Sequence, residues 1–348
     1  MKDISTLTDD DILAIPVDKP ELLFTADKDT ALAEFRVLLS KWHPDKNPMV
    51  DEAVMAHVNV LYDLAVLRLA TDSWVTPGVV TFKTLDGKKF QLKFRASRQF
   101  ELGDIYVGDN LVAYSLYKDN EDLYKNARNI IRNFKFADDK MRNEVLPLLP
   151  EIHSELVTDD RLVMLIKKTP DQLLMSDVLG HFGVVDPKHV AWMISRLYSI
   201  CCYLRYANLV HAGITPDACL ISPDQHTVSL LGGWWYAGEK GKKLQALPGV
   251  AVEFAPDEVL DAEVSDPKID LELLHATARQ MLGDINGSKL LMNKNIPTIL
   301  VTWLRALSKG DAFEEYKIWH TKTVIDAFGP RRFVEMKLTA DDLYGSKT

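Results

Sequence analysis

The most constraining feature of this chain is an octapeptide, Lys-Trp-His-Pro-Asp-Lys-Asn-Pro at residues 41–48, that lies between two stretches of helical periodicity. Apolar side chains recur at helical spacing over residues 30–42 before it and 51–70 after it. Pro44 has no backbone N–H and disfavours the helical conformation at the residue before it, so the first helix should end just before His43. The sequence therefore predicts two packed helices that display the octapeptide on a connecting loop.

The octapeptide and the helix after it resemble the J-domain, the module with which co-chaperones engage DnaK-type chaperone ATPases. Besides the His-Pro-Asp tripeptide, the segment Met55-Ala-His-Val-Asn59-Val-Leu-Tyr62 has an Asn three residues before an aromatic, which is similar to the family's third helix. The resemblance covers roughly residues 5–72 and implies that the loop triggers ATP hydrolysis on the chaperone, with no chemistry on this chain. The predicted chaperone-binding residues are His43, Pro44, Asp45, Arg36, Lys41 and Lys46.

The charge of this region departs from that of most J-domains, which carry a basic face on the helix before the loop. That helix offers only Arg36 and Lys41, which lie on opposite flanks of its apolar stripe, Leu32, Phe35, Leu39 and Trp42. Over residues 1–75, seven Lys and Arg residues stand against fourteen Asp and Glu residues. Electrostatic steering toward an acidic chaperone surface should be weak. One alternative is a helical hairpin whose His43 and Asp45 are simply solvated.

The composition is that of an ordinary globular protein, and it limits the function. Of 348 residues, 47% are hydrophobic and 26% are charged, and the net charge of −9 argues against a nucleic-acid-binding role. Three cysteines without zinc-site spacing suit a reducing compartment, and we expect no metal and no cofactor. The acidic first twenty residues do not look like a signal peptide, and no run of eighteen apolar residues predicts a membrane span. The expected localisation is cytoplasmic.

A Pro-Gly turn signal at residues 77–78 ends the helical pattern, and alternating apolar residues follow it. The predicted fold class is α+β, with an all-α J-domain over 1–75 and a bilobal kinase-like domain over 76–348. The lobes are expected at about 79–168 and 169–340. Strands are predicted near 79–84, 90–95, 104–107, 111–117, 152–157 and 162–167, and helices near 120–134, 187–206, 269–282 and 296–307. A tail helix after Arg332 is expected to dock only loosely.

The second half resembles a protein kinase. Residues 209–222 and 227–234 look like the catalytic loop, the short hairpin after it and the metal-binding turn, and Phe-Ala-Pro-Asp-Glu at 254–258 looks like the end of an activation segment. The resemblance covers about residues 95–330. It implies that Asp270 is buried and hydrogen-bonds to backbone near His211.

At every position that the resemblance aligns with a catalytic residue, this chain has a different residue. The catalytic base falls on Gly213, the metal-binding Asn on Ala218, the metal-binding Asp on Gly232 and the phosphate-binding Lys on Ser115. His211 is expected to be structural and hydrogen-bonded to backbone. Phosphoryl transfer depends on positioning and charge stabilisation, so the resemblance implies a pseudokinase without phosphotransferase activity and without catalytic residues.

The sequence therefore predicts a co-chaperone that recruits and stimulates a DnaK-type ATPase through its His-Pro-Asp loop. The pseudokinase would be the adaptor for an unidentified client or regulatory protein, with no nucleic-acid or membrane partner. One alternative is a divergent kinase or nucleotidyl transferase that uses Asp217, Asp224 or Glu239. Another is a structural protein whose J-like hairpin is vestigial.

Overall fold

The chain contains both helices and antiparallel sheets, which confirms the predicted α+β class. The computed structural model describes residues 4–43, 51–71 and 73–345. The chain divides into two compact units, here called the helical unit (Met1–Phe82 and Lys89–Lys93) and the large unit (Lys83–Lys88 and Phe94–Thr348). This division places most of the first two predicted strands, near 79–84 and 90–95, in the helical unit. The domain boundary expected after residue 75 stays a prediction.

Within its described residues, the helical unit contains three α-helices and a two-stranded sheet. Its elements are α1 (Asp9–Leu13), α2 (Lys28–Trp42), α3 (Glu52–Ala70), β1 (Val79–Lys83) and β2 (Lys89–Lys93). Side-chain caps start the two long helices, because Asp27 accepts the N–H of Thr30 and Asp51 accepts the N–H of Ala53. His43 follows α2 in an extended conformation, with φ −72° and ψ 129°. The predicted end of this helix is confirmed.

The apolar face of α2 is rotated from the one predicted. Its buried residues are Ala31, Leu38 and Trp42, whereas Phe35 and Leu39 are only half-buried. Phe35 stacks on Tyr62 of α3 with ring centroids 4.0 Å apart. The N-terminal turn Ile4–Thr6 also contacts α2, and side chains before the helix, such as Phe24, join the same core. A stripe that is read as one face cannot show this second contact.

By length and composition alone, the 19-residue helix α3 could cross a membrane, although its sequence has no uninterrupted run of eighteen apolar residues. Val54, Val58, Leu61 and Ala65 bury one face of α3 in the helical core, whereas Val60 and Leu67 on the helix are exposed. Core helices pass the same test of length and composition. The absence of a membrane partner therefore stays a prediction.

The large unit begins with a five-stranded antiparallel sheet. Its strands are β3 (Ala96–Phe100), β4 (Gly103–Val107), β5 (Leu111–Tyr117), β6 (Ile152–Val157) and β7 (Arg161–Lys167), in the order β3-β4-β5-β7-β6. Helices α4 (Glu121–Arg132) and α5 (Asp139–Val145) lie between β5 and β6 in the chain. The sequence missed β3, an edge strand whose middle residues, Ser97, Arg98 and Gln99, are polar and exposed. Such a strand gives no apolar alternation.

The rest of the large unit is mainly helical, and it packs with the sheet around one continuous core. The short strands are β8 (Leu173–Leu174), β9 (Leu209–Val210), β10 (Cys219–Ser222), β11 (Thr227–Leu230) and β12 (Gly238–Glu239). The helices are α6 (Met175–Phe182), α7 (Pro187–Tyr206), α8 (Gly249–Phe254), α9 (Asp257–Ala262), α10 (Pro267–Met281), α11 (Thr298–Arg305), α12 (Ala312–Ile318), α13 (Val324–Phe328) and α14 (Ala340–Tyr344). The long helices α7 and α10 contribute more buried residues to this core than the other helices do, and both were predicted.

The tail is not loosely docked, contrary to expectation. The hydroxyl of Tyr344 in α14 accepts the N–H of Leu174 at 3.1 Å and donates to the carboxylate of Asp177 at 2.9 Å. Arg95 pairs with Asp341 at 2.6 Å. These contacts join residues more than 160 positions apart in the chain, so no local pattern predicts them.

Candidate functional site

The predicted chaperone-binding loop starts where α2 ends. His43 donates its backbone N–H to the carbonyl of Leu39 at 3.1 Å and caps the helix. Pro44, Asp45 and Lys46 lie outside the described residues. Proline disfavours the helical conformation at the residue before it, which accounts for the extended backbone at His43.

The two basic residues of α2 are in different environments. Arg36 is exposed. The ammonium group of Lys41 donates to the carbonyls of Ser5 and Leu7 at 2.9 and 2.7 Å. Lys41 therefore fastens the N-terminal segment to α2, and its charge is partly committed to that contact.

A second group of predicted residues meets in the large unit, around Asp270 on α10. The Asp270 carboxylate accepts the backbone N–H of His211 at 2.9 Å and of Ala212 at 2.7 Å, and its side chain is buried. These hydrogen bonds to the backbone confirm the predicted contact. Burial raises the pKa of Asp270 to about 7, although both backbone hydrogen bonds favour the charged form.

His211 is fully buried and bonded to backbone on both ring nitrogens, as expected. Gly213 donates its N–H to Nδ1 at 3.2 Å, so Nε2 carries the proton and donates to the carbonyl of Gly232 at 3.0 Å. Burial lowers the pKa of His211 to about 3, so the ring is neutral near pH 7. The imidazole links the loop at 211–213 to the turn at 232–233.

Ala218 and Gly232 lie in the same group. The carbonyl of Ala218 accepts the N–H groups of Leu231 and Gly232 at 2.9 and 3.0 Å. A Cβ atom at Gly232 would lie 2.5 Å from the hydroxyl oxygen of Tyr114, and that hydroxyl donates to the carbonyl of Asp217 at 3.3 Å. Tyr114 thus fills the space that a side chain at position 232 would need.

Ser115 is not part of this group of contacts. It is buried on β5, where it pairs in register with Asp104 and Val163. Lys118, just after this strand, donates to the carbonyl of Thr158 at 3.3 Å. The described contacts therefore connect neither residue to His211 or Gly232.

The carboxylates of the alternative enzyme hypothesis are spread over different elements. Asp217 follows the loop at 211–213, Asp224 is exposed in the turn between β10 and β11, and Glu239 is exposed on β12. Among the residues that the structure describes, no group of three or more His, Cys, Asp or Glu side chains is placed to hold a metal ion.

The large unit also holds a cavity of about 470 Å³ beside this group. Gly213, Ala218 and Gly233 contribute to its wall, together with an aromatic cluster formed by Phe100, Tyr114, Trp235 and Tyr236. The neighbouring tryptophans are both buried but have different roles. Trp234 donates its indole N–H to the carbonyl of Leu230 in the core, whereas Trp235 lines the cavity.

Comparison with known proteins does not assign the chain to a family. Scans against protein-family models and curated proteins found no match to the chain.

Proposed function

We propose that this protein is a co-chaperone whose helical unit recruits and stimulates a DnaK-type chaperone ATPase. The observation that carries the proposal is the end of α2 at Trp42, with extended His43 leading into Pro44-Asp45 and α3 starting at Glu52. Two packed helices on either side of such a tripeptide are what the J-domain resemblance implies. The chemistry would take place on the chaperone, which the loop contacts.

Electrostatics should make this contact weak without a second tether. Lys41 already bonds to two carbonyls, and the first 75 residues carry twice as many acidic as basic side chains. Exposed charges steer association through the summed field of a surface, so an acidic helical unit gains little rate from an acidic partner. A client held by the rest of the chain would supply the missing tether.

We propose that the large unit is a kinase-like adaptor without phosphotransferase activity. The support is the chain order of its parts, which matches the resemblance: the Asp270-bound loop, then the β10–β11 hairpin, then the Gly232 turn. The side chains of Gly213, Ala218 and Gly232 supply no carboxylate or amide oxygen for magnesium. Because Tyr114 fills the space beside Gly232, an aspartate there would collide with it.

An affinity capture tests both halves of the proposal. The full chain, the His43→Gln variant and a His153→Gln control serve as baits, and captured proteins are identified by mass spectrometry. His153 is exposed on β6, so the control makes the same chemical change far along the chain from the loop. We expect the wild type and the control to capture a DnaK-type ATPase, and His43→Gln to lose it.

Client capture should be equal for all three baits, because His43→Gln leaves the adaptor unaltered and His153→Gln changes only one exposed side chain of it. Equal capture of the ATPase by His43→Gln would reject the role of the loop. Failure of every bait to capture a DnaK-type ATPase would reject the co-chaperone proposal itself.

A further inference from the structure

The charged side chains that line the cavity beside Gly213 are all acidic. Three carboxylates line it, from Glu101, Asp217 and Glu253, and none of its lining residues, all of which are described, is Lys, Arg or His. Phosphates need cationic or backbone N–H partners, so this wall disfavours an anionic ligand. A ligand of opposite charge would gain from it.

Two of the three carboxylates are unpaired. Glu101 accepts the hydroxyl of Tyr236 at 3.2 Å and the N–H of Gly249 at 2.8 Å, so it helps to build the wall. Within the described residues, the side chains of Asp217 and Glu253 make no hydrogen bond or ion pair. Both remain open to a charged group that enters the cavity.

The remaining wall is aromatic. Trp235 lies with its ring centroid 5.3 Å from that of Phe100 and 5.3 Å from that of Tyr114. Trp and Tyr faces attract ammonium and guanidinium groups, and more strongly when the group is desolvated. The indole N–H of Trp235, which is 5% exposed, lies beside the Tyr236 hydroxyl but makes no hydrogen bond of good geometry in the described part of the chain. A carbonyl oxygen brought into the cavity is the acceptor that this donor lacks.

We propose that this cavity binds a polypeptide segment that inserts an arginine or lysine side chain between the aromatic cluster and the carboxylates of Asp217 and Glu253. A peptide supplies both features that the wall requires, a cation on an apolar stem and carbonyl oxygens next to it. The volume of about 470 Å³ lies within the range of small-ligand pockets, which is about 300–1,000 Å³. The proposed site lies within the large unit alone, so the proposal does not depend on whether the helical unit acts on a chaperone.

Calorimetric titration of the full chain tests the site with three probes: acetyl-Leu-Arg-Leu-amide, the same peptide with neutral citrulline in place of arginine, and agmatine. The site variant is Asp217→Asn with Glu253→Gln. The matched control is Asp224→Asn with Glu239→Gln, which removes the same charge from exposed carboxylates outside the cavity. Melting curves check that both variants are folded.

We expect the arginine peptide to bind at least ~10-fold more tightly than the citrulline peptide, and the site variant to lose about that factor. The control should bind as the wild type does. Raising NaCl from about 50 mM to about 0.5 M should weaken binding of the arginine peptide only, because salt screens the charge term. Agmatine should bind more weakly than the peptide, since it brings no carbonyl.

Equal binding of the arginine and citrulline peptides to the wild type would overturn the charge argument, independently of any variant. Agmatine binding as tightly as the peptide would overturn the assignment to a polypeptide. Because the readout is direct binding, neither result bears on stimulation of a chaperone ATPase.

Discussion

The carboxylate of Asp270 accepts a hydrogen bond from the backbone N–H of His211, 59 residues earlier in the chain, at 2.9 Å. It also accepts the N–H of Ala212, whose φ of 55° lies in the left-handed region that residues with a side chain seldom adopt. The buried carboxylate therefore holds a strained loop and fixes the position of His211. Removal of the Asp270 side chain should therefore destabilise both the loop at 211–213 and the turn at 232–233, which His211 links.

Asp270→Ala should lower the free energy of unfolding by roughly 1–3 kcal/mol, because it leaves two buried N–H groups without an acceptor. For a unit of this size, each kcal/mol corresponds to about 2–4 °C in melting temperature. Asp261→Ala, at an exposed position on α9, is the control and should change stability by less than ~0.5 kcal/mol. An unchanged melting temperature for Asp270→Ala would contradict the importance of this contact.

The two buried groups should act oppositely on stability as the pH changes. The pKa of His211 is lowered from 6.5 to about 3, so the unfolded chain binds the extra proton between these values and acid destabilises the fold. The pKa of Asp270 is raised from 3.8 to about 7, so the folded chain binds the extra proton and acid stabilises the fold over nearly the same range. The two effects largely cancel between pH 4 and pH 6.5.

Asp270→Asn should remove this cancellation. Its free energy of unfolding should fall more steeply than that of the wild type as the pH drops from 6.5 to 4, by up to ~1.4 kcal/mol per pH unit. Urea unfolding at several pH values measures both slopes, with Asp261→Asn as the control of unchanged slope. Parallel curves for Asp270→Asn and the wild type would show that Asp270 does not titrate in this range.

Magnesium-ATP should not shift the melting temperature of the full chain. The cavity beside Gly213 carries carboxylates and no cationic side chain, so it offers phosphates no charge partner. A ligand at a hundred times its dissociation constant would add ~2.7 kcal/mol to stability. Differential scanning fluorimetry with millimolar ATP and magnesium, against magnesium alone, makes the measurement. A rise of several degrees would favour the divergent-enzyme alternative.

Residues 94–348 should fold alone. Their core is one continuous cluster that includes the five-stranded sheet and helices α7 and α10, and about 250 residues bury enough surface for an independent domain. Both this fragment and the longer fragment 79–348 should melt cooperatively when followed by circular dichroism. An insoluble or non-cooperative product from both fragments would reject the division into two units.

The sequence predicted what depends on local pattern. Pro44 predicted the end of α2, and apolar periodicity predicted α3, α7 and α10. The kinase resemblance predicted the contact between Asp270 and His211, which periodicity alone could not, since it joins distant positions.

What the sequence missed depends on contacts between distant segments. β3 has a polar middle and gives no strand signal, and the docking of Tyr344 beside Asp177 joins the tail to α6. The acidic, aromatic cavity draws its wall from segments as far apart as Phe100 and Glu253. None of these segments has a sequence motif of its own. The acidic side chains of the cavity wall come together only when the chain folds.

The proposed stimulation can be measured as the steady-state ATPase rate of the captured DnaK-type chaperone, with the wild type, His43→Gln and the His153→Gln control. We expect the wild type and the control to raise the rate and His43→Gln not to raise it, while all three melt at the same temperature. Equal stimulation by the wild type and His43→Gln would show that the loop does not act on the ATPase.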